Sequence, residues 1–370
     1  MNRNILDQLI HNEYKHIIAF FCSFIITYYA IPVIVKISTL KKLFDQPNGR
    51  TSHKQATSTL GGIAMFASIF ISSMLFINMR IIANFQYVIA GSLVMFFIGL
   101  KDDLIEISWS KKVIGELIAA IFLIVLGDFR FTNLHGFLGV HEISYMASII
   151  ITLVVMIGVV NAMNLIDGID GLAAGLAVIA SSCFGFWFYV DGQYEMMVLA
   201  ASLSGTLLAF LGFNVFGTEN KIFMGDTGSL LLGYIMTLFV IVFNESNIQQ
   251  TALWHVHNAP IVSFAILFIP LFDTIRVMGV RIMHKKSPFE PDRTHIHHRL
   301  LDLGFTHFQT TLILLVINAA FIILIFLLQN LNIHILAVIV LTAGLLKSYI
   351  PTYIALRWMK RSRKVVFTLD

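Results

Sequence analysis

Along this chain apolar runs of about 17–22 residues alternate with short polar breaks, the spacing expected of helices that cross a bilayer. Eleven such runs can be traced, centred near residues 26, 69, 92, 119, 153, 181, 204, 236, 268, 319 and 341. The fourth, about Val113 to Leu126, is the shortest. The longest polar segments fall at about 36–59, 281–310 and after Tyr349. The first 15 residues are polar and mixed in charge, so the run reaching Ile34 is expected to stay as a span rather than act as a cleaved signal. The pattern predicts an all-α polytopic membrane protein of about eleven helices, one transmembrane domain over 1–370 with no soluble domain and no internal repeat.

Composition agrees. Of 370 residues 57% are hydrophobic and 12% charged, against roughly 25% charged in soluble domains. Mean hydropathy is +0.82. Cys22 and Cys183 both fall inside predicted spans, which excludes a disulfide framework. Charge orients the chain. Alternating the sides of the eleven spans puts 21 Lys and Arg residues on the side of Lys36, Lys101, Lys221 and the RWMKRSRK tail, and four (Arg3, Lys15, Arg80 and Arg130) on the other. Basic residues favour the cytoplasmic side, so the N-terminus is expected outside and the C-terminus inside. The tail at about 350–370 would rest on anionic headgroups.

The cytoplasmic loops are then about 36–59, 100–112, 161–171, 213–228 and 281–310, and the unusual polar residues collect in them. Lys101-Asp102-Asp103 follow the third span; Asn161, Asn164, Asp167 and Asp170 the fifth; Asn214 and KIFMGDTGS, with Asp226, the seventh; PDRTHIHHRL, with Arg293, His295, His297 and His298, the ninth. A transporter would keep ionisable groups near the bilayer midplane. Here only Asp273 and Arg276 lie in mid-span, at the spacing of a helical ion pair. A site for a water-soluble substrate at one surface fits better.

Each cluster has a plain reading and a chemical one. Asp102 and Asp103 are a solvated helix end, or two acids whose repulsion favours a shared proton or cation. In NAMNLIDGIDG the polar residues recur every three positions, which no single helix face can hold. Gly168 and Gly171 suggest that the helix breaks, leaving Asn161 and Asn164 on its last turn and Asp167 and Asp170 in a tight loop. That loop is a capped glycine turn, or a cavity wall fed by both pairs. It is not an EF-hand, because the ligand alternation and closing glutamate are missing. Asp226, Thr227 and Ser229 begin a span as ordinary caps, or as a phosphate-binding helix start with a carboxylate for magnesium. HIHH is a solvated loop, a zinc site, or imidazoles beside Arg293 and Arg299 that receive an anion.

Together KDD, NAMNLIDGIDGLAAG, KIFMGDTGSLLLG and PDRTHIHHRL resemble the polyprenyl-phosphate N-acetylhexosamine-1-phosphate transferase superfamily over nearly the whole chain. SPFEPDR, HIHH, LLDLGFTHFQ, LFDQPNGR and WFYVDGQ are most similar to its WecA-like branch. The resemblance implies transfer of GlcNAc-1-phosphate from UDP-GlcNAc to undecaprenyl phosphate, releasing UMP and starting O-antigen (lipopolysaccharide) or related glycan synthesis at the bacterial inner membrane. Other readings are the same chemistry on another UDP-N-acetylhexosamine, or a membrane transporter. Nucleic acid is not an expected partner, and the resemblance leaves room for a homodimer. It implies Mg2+, with Mn2+ as a substitute, on Asp226 with Asn164 nearby. It makes Asp102 and Asp103 the pair that engages or deprotonates the lipid phosphate. Asp167 and Asp170 become the nucleotide-site loop, Asp170 being the uracil contact, Asn161 joins their motif, and Asn214 matches a uridine-binding asparagine. Arg293, His295, His297 and His298 become the sugar and diphosphate loop. Asp45, Arg50 and His53 also match the pattern, although Thr51 departs from the family's usual Arg-Lys pair.

Overall fold

The computed structural model describes residues 12–43, 57–78, 84–249, 254–285 and 295–366. Arg293, Asp45, Arg50 and His53 lie outside them. The helices are α1 (Asn12–Lys41), α2 (Gly61–Phe76), α3 (Phe85–Ile105), α4 (Trp109–Ala120), α5 (Tyr145–Ile166), α6 (Leu172–Val190), α7 (Tyr194–Phe216), α8 (Gly225–Ser246), α9 (Ala259–Ile266), α10 (Phe268–Met283), α11 (Ile296–Asp302), α12 (His307–Leu327) and α13 (Ile333–Val366). All eleven predicted centres fall in helical segments. Among the described residues six helices are long and apolar enough to cross a membrane, and α9 with α10, bent by 87°, makes a seventh if counted as one span. The chain is a polytopic, almost wholly helical membrane protein.

Three features depart from the predicted pattern. The fourth run begins at Trp109, and its last six residues, Ile121–Leu126, widen into a π-helical turn. A small antiparallel hairpin, β1 (Asn133–Phe137) and β2 (Val140–Glu142), precedes α5. The ninth run is broken at Leu267. Pro270 has no N–H for the Ile266 carbonyl, and Asn318 of α12 repairs the gap: its Nδ2 donates to the Ile266 carbonyl at 3.1 Å and its Oδ1 accepts from the Ile269 N–H at 3.2 Å. Two backbone groups freed by the bend are thus satisfied in an environment where an open one is costly.

The core centres on α8, which packs against α2, α3, α5 and α6 and is buried without a break from Thr227 to Ile241. Close approach at its start fixes the site. A Cβ on Gly99 of α3 would lie 2.5 Å from the Thr227 Cα, so only glycine lets α3 press this near. Gly225 turns the chain into α8 at φ +67°, a backbone conformation favouring glycine. A Cβ there would also meet the Asp103 carboxylate at 2.6 Å.

Candidate active site

The C-terminal ends of α3, α5 and α7 and the N-terminal end of α8 meet at one end of the bundle. They enclose a cavity of about 270 Å³ lined by Asp103, Asn164, Asp167, Asp170, Asn214 and Asp226, among others. Four sequence clusters contribute to it or touch its wall, although they are spread over some two hundred positions.

Asp102 and Asp103 do not act as a matched pair. Asp103 turns toward α8: it accepts from the Asp226 N–H at 2.8 Å, the Thr227 N–H at 2.9 Å and the Thr227 hydroxyl at 2.5 Å. The start of α8, read as a phosphate seat, is therefore already held by a carboxylate. Asp102 does not line the cavity, although its carboxyl contacts that of Asp226 at the cavity's edge. It accepts from the Ile107 N–H at 2.7 Å and pairs with Lys112 at 2.8 Å. The same Lys112 ammonium reaches Asp226 at 3.0 Å. Lys112, at the first turn of α4, is the residue the sequence reading left among the counted charges. It links the two aspartates that its own loop and α8 bring together.

Asp226 takes its second contact from the Asn164 amide, which also donates to Ser229 Oγ at 2.8 Å. α5 ends at Ile166 and Gly171 turns at φ +76°, so Asp167 and Asp170 stand in the expected tight loop. Asn161 does not join them. One turn earlier, its amide donates to the buried Glu116 of α4 at 3.2 Å and to the Ile157 carbonyl at 2.9 Å. Asn214 lines the cavity, but both ends of its amide hold backbone: the Oδ1 accepts from the Gly171 N–H at 2.7 Å and the Nδ2 donates to the Ile222 carbonyl at 2.9 Å. It fastens the 167–171 loop to the segment before α8.

Charge divides the two loop aspartates. Burial, then the carboxylates of Asp226, Asp103 and Asp170, push Asp167 well above the usual carboxyl range. Burial would raise Asp170 too. Hydrogen bonds from His307 and Lys221 outweigh it and hold Asp170 below its ordinary value. Its Oδ2 pairs with Lys221 at 2.7 Å and lies 3.6 Å from His307 Nδ1, while its buried Oδ1 has no hydrogen-bond partner. Thr311 of α12 braces the Asp170 carbonyl at 2.8 Å.

The histidines approach this loop from behind. His297 is buried against Gly168, where an added Cβ would lie 2.5 Å from its Nε2. Burial first, then neighbouring His298, bring its pKa down to about 3, so the ring is neutral. The His298 ring lies tilted against it, 4.3 Å between centroids and 47° between planes. His295 turns from the cavity to Asp273.

Oxygen donors that suit magnesium are present: the carboxylates of Asp103, Asp167, Asp170 and Asp226, and the Asn164 amide. No three His, Cys, Asp or Glu side chains among the described residues converge to hold a metal by themselves. That donor set fits a magnesium ion that keeps several waters and binds through one or two protein groups plus a substrate phosphate. The Lys112 ammonium on Asp226 shows that this oxygen already receives positive charge.

The glycosyl transferase family 4 profile matches residues 85–244, which carry α3 through most of α8 and the cavity wall. A decaprenyl-phosphate N-acetylglucosaminephosphotransferase of Mycobacterium leprae (strain TN) is 31% identical over 316 residues, 78% of each chain. This chain belongs to that transferase family. The undecaprenyl-phosphate alpha-N-acetylglucosaminyl 1-phosphate transferases of Yersinia pestis and of Escherichia coli (strain K12) are each 29% identical, over 78% and 74% of this chain and 77% and 73% of theirs. In this glycosyl transferase, then, three of the motifs that carried the resemblance line the cavity, and the histidine motif packs behind one wall of it.

Proposed function

We propose that the chain transfers GlcNAc-1-phosphate from UDP-GlcNAc to undecaprenyl phosphate and releases UMP. The observation that carries this reading is the gathering of Asp103, Asn164, Asp167, Asp170 and Asp226 around one cavity at the end of the bundle. The names of the relatives supply the donor sugar and the lipid class. The family's O-antigen role belongs to the same reading. So does an eleven-span arrangement, N-terminus outside and C-terminus cytoplasmic, in a bacterial inner membrane. The 21-to-4 division of Lys and Arg supports that orientation.

Both reactants are anions, and bringing them together needs positive charge. Asp226 and Asn164 would hold Mg2+. When bound, the ion neutralises diphosphate oxygens and polarises the phosphorus they surround. The remaining work falls to side chains. Asp103 fixes the start of α8, so Asp226 projects into the cavity from a rigid element. Lys112 keeps Asp102 and Asp226 together despite their like charge. Lys221 and His307 orient Asp170, whose free Oδ1 offers an acceptor for the nucleotide base. An oxygen of the lipid phosphate forms a bond to the β-phosphorus, the bond from that phosphorus to the bridging oxygen breaks, and the electron pair leaves with UMP. Positioning and charge stabilisation supply most of the rate in such transfers. A single step is favoured over an aspartyl-phosphate route through Asp103 or Asp167: attack by Asp103 would break three hydrogen bonds that hold α8, and burial among three other carboxylates favours the protonated, less nucleophilic form of Asp167.

The test is UMP release from a panel of UDP-sugars with undecaprenyl and decaprenyl phosphate, with and without EDTA. UDP-GlcNAc with undecaprenyl phosphate should be the best pair, and chelation should stop release until Mg2+ or Mn2+ is restored. Solute uptake without UMP release would overturn the proposal in favour of a transporter.

A further inference from the structure

Asp273 on α10 lies away from the cavity and is fully buried. The helical spacing points to an ion pair with Arg276, and Arg276 does donate to its Oδ1 at 2.9 Å. The carboxylate has further partners. Its Oδ2 is 2.8 Å from His295 Nδ1, and the Ile296 N–H lies 3.2 and 3.3 Å from the two oxygens. One aspartate, from a different helix, therefore holds the first residues of α11. Lys347 of α13 faces the same region, its ammonium 4.9 and 5.7 Å from the ring centres of Phe268 and Phe272, the latter next to Asp273 in α10.

The contacts continue toward the cavity. His295 stacks nearly parallel to His297, at 5.7 Å and 12°. His297 presses on Gly168, and neither of its buried ring nitrogens has a hydrogen-bond partner. Gly168 lines the cavity between Asp167 and Asp170. With no polar partner of its own, His297 is placed by packing and by the histidine before it. That histidine is placed by Asp273.

We propose that Asp273 is a positioning residue for the transfer reaction. It fixes the Nδ1–H tautomer and the orientation of His295, and through the His295–His297 stack it sets the 167–171 loop against the cavity. At metal sites a carboxylate that sets a histidine's tautomer and orientation is worth about 10–100-fold in affinity or activity, and the same constraint acts on His295. The inference rests on the proposed transfer.

The experiment is a double-mutant cycle on the full-length protein, reading UMP release from UDP-GlcNAc and undecaprenyl phosphate with kcat and KM measured separately. Wild-type protein comes first: absence of UMP release there refutes the proposed function before any variant is compared. Asp273→Asn and His295→Ala should each lower kcat/KM about tenfold or more. The double variant should be no worse than the weaker single within about twofold, since both remove one device. His295→Ala leaves a buried carboxylate short of a partner and should lower the unfolding midpoint, so activities are compared at a temperature where every variant stays folded. A spectrum of 15N-histidine-labelled protein should lose the His295 Nδ1–H signal in Asp273→Asn, whatever the activity. If Asp273→Asn does not fold, Asp273→Glu takes its place in the same cycle. Multiplying losses, near-normal turnover in the Asp273 variant, or an unchanged His295 signal would overturn the proposal.

Discussion

The two ends of α5 and α8 carry similar numbers of polar side chains and use them differently. At the end away from the cavity the charged side chains are paired off, although the buried Asn244 Oδ1 and His135 Nε2 have no hydrogen-bond partner. Glu245 accepts from the Thr132 N–H at 2.8 Å and the Thr132 hydroxyl at 2.6 Å. Arg130 donates to Asp128 at 2.7 Å and Ser148 at 3.0 Å, and its guanidinium lies 4.7 Å over the Tyr145 ring. Asn84 reaches the Gly127 carbonyl at 3.5 Å. At the cavity end, among the described residues, the charges do not balance: no donor reaches the Asp167 carboxyl, Asp170 keeps a bare buried oxygen, and four carboxylates meet only the ammonium groups of Lys112 and Lys221. Polar residues at a membrane edge therefore do not by themselves mark a site. A surplus of one charge, held in place by neighbours that are themselves fully bonded, does.

The sharpest way to break this contrast is to remove charge at the centre of the surplus. Asp226→Asn keeps the shape and takes away the carboxylate that Asn164 and Lys112 address. UMP release should fall by roughly a hundredfold or more, the scale of losing one main electrostatic stabiliser, while the protein still folds and inserts. Lys112→Met should cost less, about tenfold, because it leaves Asp102 and Asp226 in mutual repulsion without removing either. Near-normal turnover in Asp226→Asn would take that residue out of the chemistry. Near-normal turnover in Lys112→Met would mean that the bridge from Asp102 to Asp226 is incidental.

Much of this was legible in the chain. A bilayer demands long apolar runs, so all eleven predicted centres fall in helices, and the glycine break after Ile166 appears where NLIDGIDG puts it. The misses share a cause: a side chain's partner lies far away in sequence. Lys112 reads as one more cytoplasmic lysine until Asp226, more than a hundred residues on, is seen beside it. Asn161 has the spacing of a site residue, yet one turn of helix rotates it toward Glu116. Asn214 carries the right side chain for a ligand and spends it on Gly171 and Ile222. The bend at Leu267 needs both Pro270 and Asn318, and only the first is local. The β1–β2 hairpin is too short to leave an alternating pattern. For Asp273 the helical pair with Arg276 was visible, while His295, more than twenty residues on, was not.

Asp167 and Asp170 sharpen the contrast within a single loop, with opposite signs. The Asp167 carboxyl is raised, so its ionised form is penalised in the folded state. The penalty is complete above the folded pKa and disappears as pH falls toward the unfolded value. Asp167→Asn should therefore raise the unfolding midpoint at pH 8, by roughly 2 °C or more, with a smaller gain at pH 5. Transfer should fall, the pattern of a site that gives up stability for function. The Asp170 carboxyl is lowered. Its stabilisation is complete above the unfolded pKa and is lost only as pH falls through the still lower folded value. Asp170→Asn should lower the midpoint by a similar amount at pH 8 and at pH 5 alike. Thermal unfolding in detergent at the two pH values distinguishes them, and two variants that shift in the same direction would refute the charge division proposed for the loop.

The smallest effect is expected at the other end. Glu245→Gln keeps one oxygen for the Thr132 N–H and replaces the other with an amide, toward which the Thr132 hydroxyl can rotate to accept. One hydrogen bond is weakened in a network that remains otherwise bonded, a cost of about 1 kcal/mol and a midpoint lower by roughly 2–4 °C. UMP release should stay within about twofold of wild type, because the change adds no charge to the cavity and moves none of the residues that line it. Tenfold slower transfer with an unchanged midpoint would reverse the assignment. It would mean that the hairpin end communicates with the cavity along α8, and that a surplus of one charge is not what separates scaffold from site in this protein.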